Sequence, residues 1–529
     1  MTKRGGVTEC EQQADVLAMT GLLNCVVREL AVPGPGPEGA SDGSSLRLPA
    51  SGRTIRVGPG RWPSAPALET PQGPLPLTLA GLVDVAEGEL RARTGVDNTT
   101  LTDEIADSRE VIAALLAARE RARPAADLYL RSEQALVAGH RYHPAAKTRG
   151  GGPPAGWLPY APEAYASFPL RLLGVREDLL AGAGDTAVLD ELWGDRPPQG
   201  YRVLPAHPWQ LELIAEDPAL RGRLWEDDRL LDLGPTRERA WATSSVRTVH
   251  LPDADLSLKF SLDVRITNDI RRLWLRDLRW LAPVDEVVGK AFADAPAGAA
   301  VLADRGHRTA GLGGMDGYEA LAVLVRQGMG AGPRPQLAAG LSEGYSGSPL
   351  DGLTPARATA WWRRYLERVV PPVLHAYLEH GVVLECHLQN VLVTMDEDGL
   401  PGRAVFRDHE GVKLLAHRHA ELLASLGPDL PTPAVDAAHG WQRLVYCLVT
   451  NHLLEIAGAL LERHPALAAD LWPTARELFA RYADHGEVRD LLAAPSIPAK
   501  TNLLLRWTGA DGGDSTYAPL ANPLAAPAR

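Results

Sequence analysis

Between Leu256 and Leu262 the sequence reads LSLKFSL, a strict alternation of apolar and polar residues with a lysine at its centre. A period of two is the signature of a β-strand with one buried face. The run SSVRTVHL, residues 244–251, precedes it, and PDAD joins the two with the residue types of a tight turn. The pattern predicts an antiparallel hairpin over Ser244–Leu251 and Leu256–Leu262. On that hairpin Lys259 points away from the core, and Ser245 and Arg247 share one face of the partner strand. Two cations on one sheet face repel unless an anion lies between them. The segment is therefore a candidate anion site, with an exposed amphipathic hairpin as the plainer alternative.

Helical periodicity dominates the N-terminal region and the C-terminal third, while from about 200 short β-prone runs lie between helices. Val16, Leu17, Leu22, Leu23, Val26, Val27 and Leu30 recur at helical intervals and predict a helix over 11–31. PGPGPEGASDGSS follows as a loop or linker. Helical patterns over 78–93, 103–122 and 129–139 complete a mainly helical N-terminal region that ends at Gly150, Gly151 and Gly152. From about 355 the chain is helix-rich again, and WWRRYLERVVPPVLHAYLEHG, residues 361–381, predicts two helices meeting at Pro-Pro and closed by Gly381. The fold class expected is α+β. A length of 529 residues exceeds what one core supports, so about three subdomains are expected.

A formal net charge of -12 excludes non-specific binding to nucleic acid or to an anionic membrane, both of which need a basic surface. The cysteines, Cys10, Cys25, Cys386 and Cys447, form no CxxC pair, so neither a disulfide framework nor a metal cage is indicated. The first residues lack a signal-peptide core, and no window approaches the roughly 20 uninterrupted apolar residues of a membrane span. A cytoplasmic protein is expected.

Three polar motifs could carry chemistry. GHRYHPAAKTRGG, residues 139–151, gathers His140, His143, Lys147 and Arg149 between glycines and reads as an anion-binding or simply solvated basic loop. It is not a P-loop, whose lysine follows the second glycine directly. After the hairpin, Thr267 and Arg271 are four apart and would share one face of the next helix. In LECHLQNVLVTMDEDGLPGRAVFRDHEG, residues 384–411, Glu385, His387, Gln389 and Asn390 precede one strand, and Arg407, Asp408 and Glu410 follow a second. Oxygen donors at strand ends suit Mg²⁺ on a nucleotide. PAHPWQ, residues 205–210, holds a histidine of packed structural type, and Lys500 opens an apolar run in SIPAKTNLLLRW, residues 496–507.

In this order the motifs GHxxHPxxKxRxG, HPWQ, SSxRTV…K…IT…R, ExHxQN with RDxxG, and a late lysine resemble the IucA/IucC family. These are aerobactin-type siderophore synthetases that work without a nonribosomal peptide synthetase. The resemblance runs from LLNCVVREL to Lys500. It implies a cupped-hand architecture, with a thumb over 1–155, fingers over 156–350 carrying an antiparallel sheet, and a palm over 351–529. It also implies adenylation of a carboxylate of citrate or a related di- or tricarboxylic acid by ATP with Mg²⁺, then condensation with an amine or hydroxyl. By motif, Ser245, Arg247, Thr248 and Lys259 would bind the phosphates, with His387, Gln389, Asn390 and Asp408 lining the ATP and acyl-adenylate site. His143, Lys147, Thr267, Arg271 and Lys500 would hold the acid, Glu385 and Asp408 would stand near magnesium, and His387, Arg271 and Lys259 would be catalytic. A homodimer is the assembly it implies. Arg141 departs from the pattern, standing where relatives tend to carry a proline or small residue.

The chemistry agrees with these roles, because a carboxylate attacking a phosphate brings two anions together and needs cations and Mg²⁺ to screen them. A kinase-like phosphotransferase is the competing enzyme, but Val382 follows His380-Gly381 where its catalytic aspartate belongs. A siderophore-handling or ferric reductase protein is the other alternative, and the scattered cysteines supply no cluster for it. Placed on polar faces, Lys259 and Arg271 are each expected to tolerate alanine without loss of fold.

Overall fold

In the computed structural model, which describes residues 8–33, 44–150, 152–267, 269–426, 432–510 and 516–526, the expected hairpin forms, in a register that sets Thr248 rather than Arg247 opposite Lys259. Thr248 pairs with Lys259 and Leu251 with Leu256, and Pro252 to Asp255 make the turn. The first strand is shorter than expected, Thr248–Leu251, because Ser245 and Arg247 belong to a tight loop ahead of it. The hairpin lies inside an eight-stranded sheet. Across the sheet the order is Leu180–Gly184, Asp304–Ala310, Val323–Gln327, Leu256–Phe260, Thr248–Leu251, Leu230–Ala242, Ser167–Arg176 and Tyr201–Ala206. Every neighbouring pair is antiparallel.

The alternation in LSLKFSL is preserved, but neither face is solvated. Leu256, Leu258 and Phe260 join Leu172, Val203 and Val249 in the sheet's own core. Lys259 is only 2% exposed, because the C-terminal part of the chain covers the polar face. That covering layer is a four-stranded sheet of Ala300–Val301, Pro401–Phe406, Val391–Met395 and Gln336–Leu337. The strand ends after Phe406 and before Val391 deliver Asp408 and Asn390 toward Lys259.

The largest core gathers the C-terminal helices around Trp361, Trp362 and Tyr365, with Trp361 and Tyr365 stacked 4.9 Å apart at helical i,i+4 spacing. WWRRYLERVVPPVLHAYLEHG departs from expectation here. Instead of two helices it belongs to one, Pro355–Leu378, that runs through Pro371 and Pro372. Each proline removes a backbone donor. Val369, Val370, Val373 and Leu374 are all fully buried, and their packing holds the helix together across that gap. The helix ends before Gly381, whose φ of +65° lies in the left-handed region.

Residues 32–76 hold something the sequence pattern did not suggest. Val32–Pro33, Ser44–Arg47, Thr54–Val57, Ala67–Thr70 and Gly73–Pro76 form a five-stranded antiparallel meander. No strand in it exceeds four residues, too short for alternation to register. Most of the expected linker, residues 34–43, lies outside the described residues. The helix expected over 11–31 is Glu9–Glu29, started by a reciprocal capping box between Thr8 and Glu11. Its core partners include Leu503 and Trp507 from near the other end of the chain. Glu29 accepts hydrogen bonds from the backbone N–H groups of Leu503 and Leu504 and so closes the two ends together.

One continuous helical stretch, Ala437–Arg463, is long and apolar enough to cross a membrane, but 78% of its apolar window is buried inside the fold. It contains a π-helical turn, Tyr446–Leu453.

Two buried carboxylates make the fold acid-sensitive. Burial alone would raise Glu163, but Lys147 and Arg149 beside it bring it down to about 2. Glu455 is held at about 2 by Arg141 and Arg61, again against the effect of burial. The unfolded chain takes up these protons near 4.5, so unfolding consumes protons between about 4.5 and about 2. The stability they contribute is complete above that window and is lost as pH falls through it. The thermal midpoint should fall steadily from about pH 5 to about pH 2.5, more steeply in the wild type than in Glu163→Gln. Equal slopes would remove Glu163 from this role.

Candidate functional site

The loop between Ala242 and Thr248 closes on itself. Thr243 Oγ1 donates to the Thr248 carbonyl at 2.7 Å, and the Thr248 N–H donates to Ser245 Oγ at 3.2 Å. The closure forces Val246 to φ +67°, a costly conformation for a β-branched residue. Thr267 (φ +59°) and Asp408 (φ +74°) are strained in the same way. Such residues cost about 1–3 kcal/mol each and concentrate where function demands them. Asp408 lines one cavity between the eight-stranded sheet and the C-terminal layer, and Val246 and Thr267 each adjoin in sequence a residue that lines it, Ser245 and Arg247 in the first case and Ile266 in the second.

From the sheet side the cavity is lined by Ser244, Ser245, Arg247, Thr248, Lys259 and Arg326, and by Arg271 from the neighbouring hairpin. Gln389, Asn390, Arg407 and Asp408 line it from the other side. Residues about 150 positions apart in sequence are thus brought within bonding distance. Lys259 Nζ stands 2.6 Å from both Asp408 Oδ1 and Glu410 Oε2. Arg247 Nη2 is 3.6 Å from the same Glu410 oxygen. The anion that the pairing of Lys259 with Arg247 calls for is therefore Glu410, a group of the protein itself.

Further charges brace this cluster. Arg326 forks onto Asp304, at 2.6 and 3.1 Å, and reaches Asp408 Oδ1 at 3.1 Å. Burial alone would raise Asp408, but Lys259 and Arg326 hold it well below the usual carboxylate range, and Lys259 with Arg247 does the same for Glu410. On the far wall Arg407 pairs with Glu133 at 2.5 Å, and Glu133 also accepts from the Ser244 N–H and hydroxyl. Arg326, Asp304 and Glu133 escaped the sequence reading. For Arg326 a signal existed, since an arginine within the apolar run VLVRQ needs a buried partner.

Arg271 differs from the other cations. Among the described residues no carboxylate lies within ion-pair distance of it. Its guanidinium donates to the Ile266 carbonyl and to Thr267 Oγ1, at 2.7 and 2.8 Å. Burial and the neighbouring Arg247 lower its pKa to about 10. Thr267 and Arg271 were expected on one helical face. They meet instead across a hairpin of Leu262–Ile266 and Asp269–Arg271, because Thr267 turns the chain in the left-handed conformation.

His387 sits behind the cavity rather than in its lining. Its Nδ1 accepts from the Gln389 N–H at 3.3 Å, and its Nε2 is 3.8 Å from Glu385. Burial lowers its pKa against the pull of Glu385 and Asp408, so the ring is neutral near neutral pH. The π-helical turn holds this segment in place. His452 Nδ1 bonds the Cys386 carbonyl at 2.9 Å, His452 Nε2 bonds Tyr365 Oη at 2.5 Å, and Thr450 Oγ1 donates to Pro498 in the strand carrying Lys500. Lys500 ends that strand, Ser496–Lys500, and the helix begins only at Asn502. Burial lowers its pKa, and Asp269 and Glu385 are the nearest carboxylates acting on it.

Other expected groupings do not assemble. Lys147 is turned inward, its ammonium 2.5 Å from Glu163, which Arg149 also engages. His143 is buried beside a separate small cleft near Leu17, Gly21 and Trp62. The glycine-bounded segment is thus a packed, charge-neutralised one and not a basic loop, because Glu163 and Glu455 supply carboxylates from elsewhere in the chain. Glu385 bonds Arg443 at 2.6 Å, so Glu410 rather than Glu385 is the carboxylate beside Asp408. His207 is packed among Tyr160, Phe168 and Phe260.

The donor set around Asp408 fits magnesium. The ion pairs fall on Asp408 Oδ1 and Glu410 Oε2, leaving Oδ2 and Oε1 as hard oxygen donors of the kind Mg²⁺ takes.

Comparison with known proteins places the chain in a family. The IucA/IucC family model matches residues 128–343. The rhizobactin siderophore biosynthesis protein RhbC of Rhizobium meliloti is 30% identical, over 97% of this chain and 97% of its own length. The chain belongs to the IucA/IucC family. Among other relatives, the L-2,3-diaminopropanoate–citrate ligase of Staphylococcus aureus is 30% identical over 75% of each chain. The ATP-bound aerobactin synthetase IucA of Klebsiella pneumoniae has the same fold, with a TM-score of 0.79 at 22% identity, covering 97% of this chain and 100% of that one. A second family model, the ferric iron reductase FhuF-like transporter, matches residues 359–515 of this IucA/IucC chain. The described cysteines there, Cys386 and Cys447, are buried and free.

The buried network reverses the sequence expectation that Lys259 can be truncated freely. Lys259→Ala leaves Asp408 and Glu410 facing each other without their shared cation and should cost about 3–5 kcal/mol. Arg271→Ala removes no ion pair and should stay within about 1 kcal/mol of wild type. Urea unfolding of the two variants tests this, and equal stabilities would contradict it.

Proposed function

We propose that this chain is an ATP-dependent siderophore synthetase that activates a carboxylate of citrate, or of a related di- or tricarboxylic acid, as its acyl-adenylate and couples it to an amine. The observation that carries the reading is Arg271, a cation without a carboxylate of its own among the described residues, held beside Arg247 in the lining of a cavity whose other charges are internally matched. Relatives that span most of the chain are citrate ligases by name, including those of diaminopropanoate and spermidine. We assign 1–155, 156–350 and 351–529 to thumb, fingers and palm, and place the enzyme in the cytoplasm, where ATP and free thiols are both at home. A homodimer remains the assembly that the family likeness implies.

In the first half-reaction an oxygen of the acid attacks the α-phosphorus of ATP, the bond to the bridging oxygen breaks, and pyrophosphate leaves. Ser245, Arg247, Thr248 and Lys259 receive the phosphates, and Gln389 and Asn390 border the adenylate. Arg271, with Thr267 fixing its guanidinium, meets the negative charge shared by carboxylate and phosphate, where a preorganised donor acts most strongly. Bound through Asp408 Oδ2 and Glu410 Oε1, magnesium would neutralise phosphate charge. Lys500 stands at the acid end of the site.

In the second half-reaction the amine nitrogen attacks the acyl carbon, AMP departs with the bonding pair, and the amine loses a proton. His387 is neutral near pH 7 and, from behind the cavity lining, receives that proton by way of a bridging water. Its lowered pKa keeps it unprotonated down to more acidic pH than a free imidazole.

A hydroxylamine-trapping screen across citrate, 2-oxoglutarate and succinate, with AMP and pyrophosphate quantified, tests the reading. Citrate or a close analogue should give acyl hydroxamate with stoichiometric AMP, and Arg271→Ala should lower the rate by about 10²-fold with its fold intact. Release of ADP in place of AMP would identify a phosphotransferase and overturn the proposal.

A further inference from the structure

Away from the cavity, at the C-terminal end of the long helix Pro355–Leu378, three metal-ligating side chains converge. His375 Nε2 and His380 Nε2 are 3.2 Å apart, with their ring planes at 65° to each other. Asp294 Oδ1, just beyond the helix Leu275–Phe292, lies 3.6 Å from His375 Nε2. All three ligand atoms fall within 4.8 Å of one another. None of these residues lines the nucleotide cavity.

We propose that Asp294, His375 and His380 form a binding site for zinc. Bonds of about 2.0–2.1 Å at tetrahedral angles put donor atoms roughly 3.3 Å apart, close to the spacing already present. Two imidazoles and a carboxylate select a borderline divalent ion such as Zn²⁺ over Mg²⁺, which favours an all-oxygen shell. The Asp294 side chain is 76% exposed, so the fourth position opens to solvent and takes a water.

The backbone holds His380 in position. Its carbonyl accepts from His419 Nε2 at 2.8 Å, and the next residue, Gly381, turns at φ +65° against Arg418. A Cβ there would come within 2.7 Å of the Arg418 side chain, so the turn is specific to glycine. Zinc at this site ties the end of the central helix to the end of Leu275–Phe292, a clip across a long loop of chain. It does so just ahead of the segment carrying Glu385, His387 and Asn390. The role assigned to the ion is therefore structural, separate from the magnesium that accompanies ATP.

The test is equilibrium dialysis of the untagged full chain against micromolar zinc with excess Mg²⁺, alongside Co²⁺ substitution followed by visible absorption. One zinc per chain, a tetrahedral cobalt band, and a thermal midpoint raised by zinc are expected. His375→Ala and His380→Ala should each weaken binding by at least about tenfold and abolish the zinc-dependent rise. The exposed substitution Asp294→Asn should weaken binding while leaving the metal-free midpoint unchanged. Absence of stoichiometric binding, or binding that survives in the His375→Ala/His380→Ala double variant, would overturn the proposal and leave a plain hydrogen bond between two imidazoles.

Discussion

The buried charge network centred on Lys259 is what the rest of the architecture depends on. An ammonium removed from water is costly unless its partners compensate it fully. Here Asp408 and Glu410 supply that compensation from a different layer of the fold, so the eight-stranded sheet and the C-terminal layer can each bury their polar faces only against the other. Arg326, forked onto Asp304, locks the same carboxylate from one side. On the opposite wall Glu133 and Arg407 repeat the arrangement. What remains after this matching is Arg271, and the matching is what gives its charge a direction.

Much of this was legible in the sequence, to the extent that it was local. The period-two pattern of LSLKFSL revealed the hairpin and the need for an anion near Lys259 and Arg247, although Arg247 reaches that anion from the loop ahead of the strand and not from the strand face. It could not say that the anion would be Glu410, about 150 residues away, or that the polar face would be covered. The ordered motifs pointed to both walls of the cavity, whereas the lysine of GHRYHPAAKTRGG misled, because Glu163 is invisible until the chain folds. Pro371-Pro372 misled for a related reason, since burial on all sides outweighs a local preference for breaking the helix. The five short strands of residues 32–76 carry too few residues each to show a period at all.

The π-helical turn Tyr446–Leu453 gives the site its second support. Through His452 it fixes the backbone at Cys386, one residue before His387, and through Thr450 it fixes the strand that ends in Lys500. A regular α-helix would offer these side chains at a different angular spacing. The extra residue in the turn lets one rigid element hold both the segment of His387 and the strand of Lys500, consistent with the frequent appearance of such turns at functional positions.

The two family models meet near residue 350, yet the cavity straddles that boundary: its hydroxyls, Arg247, Lys259, Arg271 and Arg326 come from one side, and Gln389, Asn390, Arg407 and Asp408 from the other. This limits how such genes can be inherited in pieces. A recombination event that joins the first half of one synthetase to the second half of another must match the charge at 259 with those at 408 and 410, and the charge at 133 with that at 407. Mismatched joints leave a bare ion in the interior. Either half of this chain can therefore be exchanged only for one that carries the matching charges at these positions.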